Sequence, residues 1–310
     1  MGTEKTQRIA LITGAYGFIG RHVAREFHRN GWFVIGIGHG EWDRDEQTAW
    51  GVDDWQVCDV SIESLSAFGK KPDVIVHCAG GSSVGKSIQE PMEDFLRTVC
   101  TTECVLEYMR QCASRASLLF LSSAAVYGKS DKFPLRETAS LHPISPYGCH
   151  KKMCEELCAL YAKQYHLKVL ILRVFSVYGN GLRKQLLWDA CNKLEHGTFE
   201  FWGTGEEVRD WIHVLDVARC IHAVATSNEK SFDVLNVASG NPVRIKCLLE
   251  TIFELYGEKR KPFFNGKIDV GNPSSYLADI EKMRGLFQGE LVDIQTGIES
   301  YVRWFKYGGN

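Results

Sequence analysis

Continuous apolar runs alternate with amphipathic helical patterns through the first half of the chain, and that rhythm restricts the fold more than any other feature. "RIALITG" gives way to "RHVAREFHRN" and then "WFVIGIG"; later come "PDVIVHCAG", "ASLLFLSSAAVYG" and "LKVLILRVFS". A strand with one face in water alternates apolar and polar residues, whereas unbroken Val, Ile and Leu belong to strands covered on both faces. Separated by helices, such runs describe an α/β fold with a Rossmann-type, doubly wound parallel sheet. Helical spacing is clearest over 91–112 and 147–165.

The first run ends in "TGAYGFIG", with Gly14, Gly17 and Gly20 in G-x-x-G-x-x-G spacing before a helix. Without side chains there, a pyrophosphate can approach backbone N–H groups at the helix N-terminus, where the helix dipole favours anions. At the first strand of a βαβ pattern, this spacing points to a dinucleotide rather than a merely tight turn. The second strand ends in Gly38-His39-Gly40, which holds neither the acid that takes the ribose hydroxyls of NAD nor an arginine for the 2′-phosphate of NADP. The expected cofactor is therefore NAD(P), with NAD favoured. Asp59 in "QVCDVS" either bonds the adenine amino group or caps the following helix.

With 310 residues, 45% of them hydrophobic, the chain can bury two packed units sharing a cleft. After Ser176 the alternation weakens, with turns at "YGNGL" and "FWGTGEE", and returns in "RDWIHVLDVARCIHAVATS" and "FDVLNVAS". We expect residues 1–175 plus 212–240 to form the NAD(P)-binding domain, and 176–211 plus 241–310 a smaller substrate domain.

Thirty-six basic against 38 acidic residues, with no dense Lys/Arg run, argue against nucleic acid and anionic membrane as partners. Glycines and polar residues interrupt the early apolar stretch Ile9 to Gly20, so it reads as neither a signal sequence nor a membrane span, and a cytoplasmic location is expected. Eleven cysteines show no C-x-x-C spacing, and the i,i+4 pairs Cys100/Cys104 and Cys154/Cys158 read as small apolar core residues in a reducing compartment. His77, His142, His150 and His213 have no ligand spacing, and no metal is expected.

Taken in order, "TGAYGFIG", "CDVS", "HCAGGSSVGKSIQEP", "LSSAAVYG", "SPYGCHK", "GTGEEVRDWIHVLDVA", "LNVASGNPV" and "GNPSSYLAD" resemble the extended short-chain dehydrogenase/reductase superfamily. Within it the chain is similar to the NAD-dependent epimerase/dehydratase family around UDP-galactose 4-epimerase. The resemblance implies that Tyr147 of Tyr-x-x-x-Lys is the acid/base, with Lys151 as its partner and Ser123 as the third member. An ammonium beside a phenol favours phenolate, and i,i+4 spacing sets the two on one helical face. The alternative is that Ser122 and Ser123 end a buried strand, Tyr147 packs and Lys151 is solvated. The expected cofactor contacts are Gly14, Tyr16, Gly17, Phe18, Ile19, Gly20, His39, Asp59, Val60, Cys78, Ala79 and Gly80, with Tyr147 and Lys151.

Residues after Ser123 separate the reactions of the family. Dehydratases carry an Asp-Glu type pair there, sugar-nucleotide decarboxylases a Glu, and GDP-fucose synthases a Cys; this chain has Ala124 and Ala125, which cannot move protons. The resemblance thus implies a nucleotide-sugar 4-epimerase, with a UDP-hexose as substrate, working through a transient 4-keto sugar. An NADPH-dependent 4-ketoreductase would use the same three residues once, and a non-catalytic NAD(P)-binding regulator is a third reading.

On the substrate side, Ser82, Ser123, Ser176 and Arg209 are the candidate contacts, the arginine fork suiting a diphosphate unless it pairs with Asp210 or Glu207. Arg183 and Lys184 read as a solvated face or, second to Arg209, as phosphate contacts, and Phe201 or Trp202 as base-pocket or core aromatics. Ser82 stands where the family has a lysine, Ser176 and Thr98 where it has asparagines, and no second arginine lies near Val270 and Gly271. In family dimers the helices at 91–112 and 147–165 pair, which implies a homodimer; their apolar stripes equally suit packing on the sheet.

Overall fold

The computed structural model describes residues 7–227, 230–267 and 273–308. Its largest sheet runs Phe232–Val237, Lys168–Val174, Ser117–Ser123, Val74–His77, Ile9–Thr13, Phe33–Gly38, Asp54–Val57, and every pairing is parallel. The chain winds outward from Ile9–Thr13 through two strands, then crosses back to lay Val74–His77 on the other side. That reversal opens a crevice at the carboxyl ends of the central strands.

Both faces are covered, which explains the unbroken apolar runs. Ala10, Ile12, Val34, Val76, Leu119 and Leu172 belong to one core with the helices Phe18–Arg29 and Val214–Ser227. Their chain neighbours Leu11, Ile35, Ile75, Leu118, Phe120 and Ile171 belong to another, under Thr101–Cys112 and Pro146–Tyr165. Successive side chains in a strand point to opposite faces, so each run feeds two cores at once.

The spacing over 91–112 resolves into an α-turn at Pro91–Phe95, a π-helical turn at Leu96–Cys100 and the α-helix Thr101–Cys112. Within the π turn, Thr98 Oγ1 accepts from the Gly81 N–H at 2.9 Å, and its carbonyl accepts from Thr102 Oγ1 at 2.6 Å. The apolar stripes divide between two surroundings. Val105, Met109, Cys154 and Tyr161 face the sheet, while Met92, Leu96, Met153 and Leu160 are exposed.

The later chain builds a second body. Ser176–Tyr178, Val208–His213 and Pro242–Arg244 form a three-stranded sheet, and Glu200–Phe201 pairs with Phe263–Phe264. Leu187, Cys191, Phe201, Leu249, Phe253 and Tyr301 fill its core. No helix among the described residues is long and apolar enough to cross a membrane.

Candidate active site

The glycine turn is set by contacts that admit no Cβ. Gly14 has φ +67°, and a Cβ on it would stand 2.8 Å from the Ala79 nitrogen; one on Gly20 would collide with the Gly14 carbonyl oxygen. Gly17 enters the helix Phe18–Arg29 in extended conformation, with no side-chain cap and no acidic residue in the first turn. The orphan N–H groups at that end are thus available to a pyrophosphate, and the cradle fits a dinucleotide. Tyr16, Phe18 and Ile19 line the same cavity as the three glycines.

At the far end of this groove His39 Nε2 pairs with Asp59 Oδ1 at 2.9 Å, both side chains largely exposed. Asp59 does not cap the next helix. Ser61 does so, accepting from the Ser64 N–H while Ser64 Oγ answers the Ser61 N–H, and the Asp59 carboxylate, paired with His39, lines the cavity beside Val60. Gly40, at φ +128°, lies under the Tyr16 ring, where a Cβ would collide.

Cysteines divide between core and cavity, which corrects the core reading for Cys100 and Cys104. Cys154, Cys158, Cys191 and Cys220 are buried core residues, but Cys58, Cys78, Cys100 and Cys104 line the cavity. Burial raises the Cys78 thiol to about 12, with Lys151 pulling the other way, so it is not nucleophilic at neutral pH.

Ser123 ends the strand Ser117–Ser123, and Tyr147 opens the helix Pro146–Tyr165 after the Ser145 cap and Pro146. Gly148 lets that helix start close to the Ala124–Val126 turn: a Cβ there would stand 2.6 Å from the Ala125 carbonyl oxygen. The Tyr147 N–H donates to Ser87 Oγ at 3.1 Å. Lys151, 5% exposed, donates to the Leu121 carbonyl at 2.8 Å, and its ammonium is 6.0 Å from the Tyr147 ring centroid. Ser123, Tyr147 and Lys151 all open onto the cavity, so Lys151 is not a solvated surface lysine.

Neighbouring serines face different tasks. Ser122 donates to Glu155 at 2.5 Å, and Glu155 takes a bidentate bond from Arg173; Ser123 Oγ accepts from the Ala125 N–H at 3.2 Å. Behind them His77 is fully buried between Thr13 Oγ1 (2.6 Å) and Thr102 Oγ1 (3.2 Å). Burial, with the charge of Lys151 adding to it, lowers its pKa to about 3. His150 pairs with Asp94 at 2.6 Å. Among the described residues no three His, Cys, Asp or Glu side chains are grouped so as to hold a metal ion.

Ser82, Ser176 and Arg209 reach the same cavity from the second side. The guanidinium donates to the Val208 carbonyl at 2.8 Å and lies 5.6 Å from the Tyr276 ring. Asp210 instead accepts from Ser239, Gly240 and Ala278, and Glu207 from Thr204 and Gly205. Phe201 is core; Trp202, 64% exposed, lines the cavity. Val270 and Gly271 lie outside the described residues.

Two residues gain weight that the sequence did not give them. Lys184 is exposed, yet it lines the cavity and donates to Ser82 Oγ at 2.7 Å. Tyr276, 9% exposed, sits within electrostatic reach of Tyr147 and Arg209, and burial raises its pKa. Its signal was the "GNPSSYLAD" motif, from which no residue had been singled out.

The cavity holds about 1640 Å³, more than the roughly 300–1,000 Å³ of a site for one drug-sized ligand. The sequence pattern of the NAD dependent epimerase/dehydratase family matches residues 10–238. The UDP-glucose 4-epimerase of Corynebacterium glutamicum is 30% identical, covering 93% of this chain and 93% of its own. Among solved structures, the Thermotoga maritima UDP-glucose 4-epimerase with UDP-glucose superposes with a TM-score of 0.85 at 25% identity, covering 96% of this chain and 98% of its own. MoeE5 in complex with UDP-glucuronic acid and NAD gives the same score, identity and coverage.

Proposed function

The chain belongs to the NAD dependent epimerase/dehydratase family, and from that premise we propose that it is a nucleotide-sugar 4-epimerase acting on a UDP-hexose. The observation that carries the reading is one cavity bounded by the uncapped helix at Gly17 and by Ser123, Tyr147 and Lys151. Ala124 and Ala125 beside Ser123 offer no second proton donor for elimination.

NAD(P), held by the turn at Gly14, Gly17 and Gly20, would supply the hydride acceptor and donor for the hexose C4. Tyr147 is placed to take the 4-hydroxyl proton and to hand it back. Lys151 supplies the positive charge that stabilises phenolate. Ser123 holds the reacting oxygen by a hydrogen bond. The division expected at 211/212 moves to the end of the strand Val208–His213: the part before Ser176, with Val214–Ser227 and Phe232–Val237, binds the dinucleotide, and the later chain supplies much of the sugar-nucleotide side, although Met283 and Phe287 pack in the first core.

Two further parts of the reading rest on exposure. Met92, Leu96, Met153 and Leu160 lie in the open on two packed helices, which suits a homodimer through that face. Eleven free thiols fit the cytoplasm.

The test is interconversion of UDP-glucose and UDP-galactose by purified protein. Epimerisation leaves the dinucleotide bound and unconsumed; stoichiometric loss of added NADPH with a 4-keto substrate would instead establish the ketoreductase.

A further inference from the structure

Lys184 stands at the start of the helix Gln185–Glu195, in the second body, and crosses to Ser82 on the loop that follows Val74–His77. Among the described residues it bonds that neutral hydroxyl, and no carboxylate lies within ion-pair distance of it. The acids lining the cavity are engaged elsewhere. Asp59 pairs with His39, Glu93 with Arg97, Asp189 with Lys193 and Glu206 with Arg244, while Glu207 accepts backbone N–H groups at Thr204 and Gly205. Solvent reaches Lys184 through the open cavity, yet the surrounding walls lower its pKa by burial, with no charge to offset them. A cation so placed gains from an incoming anion.

Its position says which part of a substrate it meets. Ser82 follows Gly80 by two residues, and Lys151 Nζ is 3.6 Å from where a Cβ on Gly80 would stand. The loop under Lys184 is therefore the one that touches the reacting end of the site. Resting on the nucleotide-sugar reading above, we propose that Lys184, steadied by Ser82, binds an anionic oxygen group beside the hexose ring. Two sources present that chemistry: the β-phosphate on C1, and the carboxylate of a hexuronate.

The test is KM and kcat of wild type, Lys184→Met and Lys184→Arg with UDP-glucose and UDP-glucuronate, together with calorimetric binding of UDP. Loss of a charged hydrogen bond raises KM about tenfold or more, and Lys184→Arg recovers most of it. If both substrates and UDP weaken in Lys184→Met, the β-phosphate is the ligand; if only UDP-glucuronate does, the carboxylate is. Unchanged KM for both substrates and unchanged UDP binding, with active wild type, overturns the inference and leaves the epimerase reading intact. Wild type that turns over neither substrate overturns the epimerase reading and this inference with it. An unchanged thermal midpoint in the variant separates lost recognition from lost folding.

Discussion

Lys151 donates to the Leu121 carbonyl oxygen at 2.8 Å, which ties the helix that carries Tyr147 to the strand that carries Ser123. The ammonium is thereby fixed relative to both of its neighbours. Lys151→Met removes the charge and this tie together. Tyr147→Phe removes only the phenolic oxygen, and kcat is expected to fall about 10²- to 10⁴-fold with dinucleotide still bound. Unaltered turnover in Tyr147→Phe, with dinucleotide still bound, would remove Tyr147 from the acid/base role.

Gly20→Ala places a methyl group against the Gly14 carbonyl, where the structure has no room. Overpacking of this kind costs about 1–3 kcal/mol, and the turn that receives the pyrophosphate moves with it. The expected result is protein that purifies without dinucleotide and melts lower. Retention of full dinucleotide occupancy would contradict the cradle described at Gly14 and Gly17.

The Arg173–Glu155 pair is buried, with side chains 5% and 6% exposed. Removing one partner strands the other's charge and costs about 3–5 kcal/mol. Arg173→Met should lower the urea midpoint accordingly, whereas substituting both partners together by apolar residues should cost less. Ser122 also loses its acceptor in Glu155→Leu, so that variant is expected to be the worse of the two single changes.

Acid should destabilise the chain through His77. Its folded pKa is about 3, against about 6.5 for an unfolded histidine, so between those values the unfolded chain binds a proton that the folded chain refuses. Stability is therefore complete above about pH 6.5 and is lost as pH falls, at about 1.4 kcal/mol per pH unit. His22, lowered to about 4 by burial, adds a similar slope over a shorter window. Urea denaturation from pH 7 down to about pH 5 measures both. Identical pH slopes in wild type and His77→Gln would show that the buried imidazole is not the cause.

An exposed apolar face on two helices predicts association. Met153→Glu with Leu160→Glu should shift the protein toward monomer in light scattering while leaving its melting temperature nearly unchanged, since both side chains are already in water within one chain. A wild type that is monomeric at high concentration would remove the homodimer from the proposal.

Local patterns made the sheet legible. Unbroken Val, Ile and Leu demand cover on both faces, and that demand is met by alternate residues of Ile9–Thr13, Val74–His77 and Ser117–Ser123 feeding opposite cores. The glycine turn was legible for a similar reason, since it depends on side chains that are missing rather than on partners elsewhere. The candidate contacts named from the sequence line one cavity, because strand ends of a doubly wound sheet converge at its reversal point.

What the sequence alone determined, then, was the layered sheet, its phosphate-accepting turn and the residue types gathered at the strand ends, all of which follow from short-range periodicity and sterics. Tertiary structure alone decided that Lys184 meets Ser82 across 102 positions, and that four cysteines face the cavity while four others fill the core. Those outcomes depend on how separate elements pack, and the energy of a contact between distant residues leaves no periodic trace in the chain that makes it.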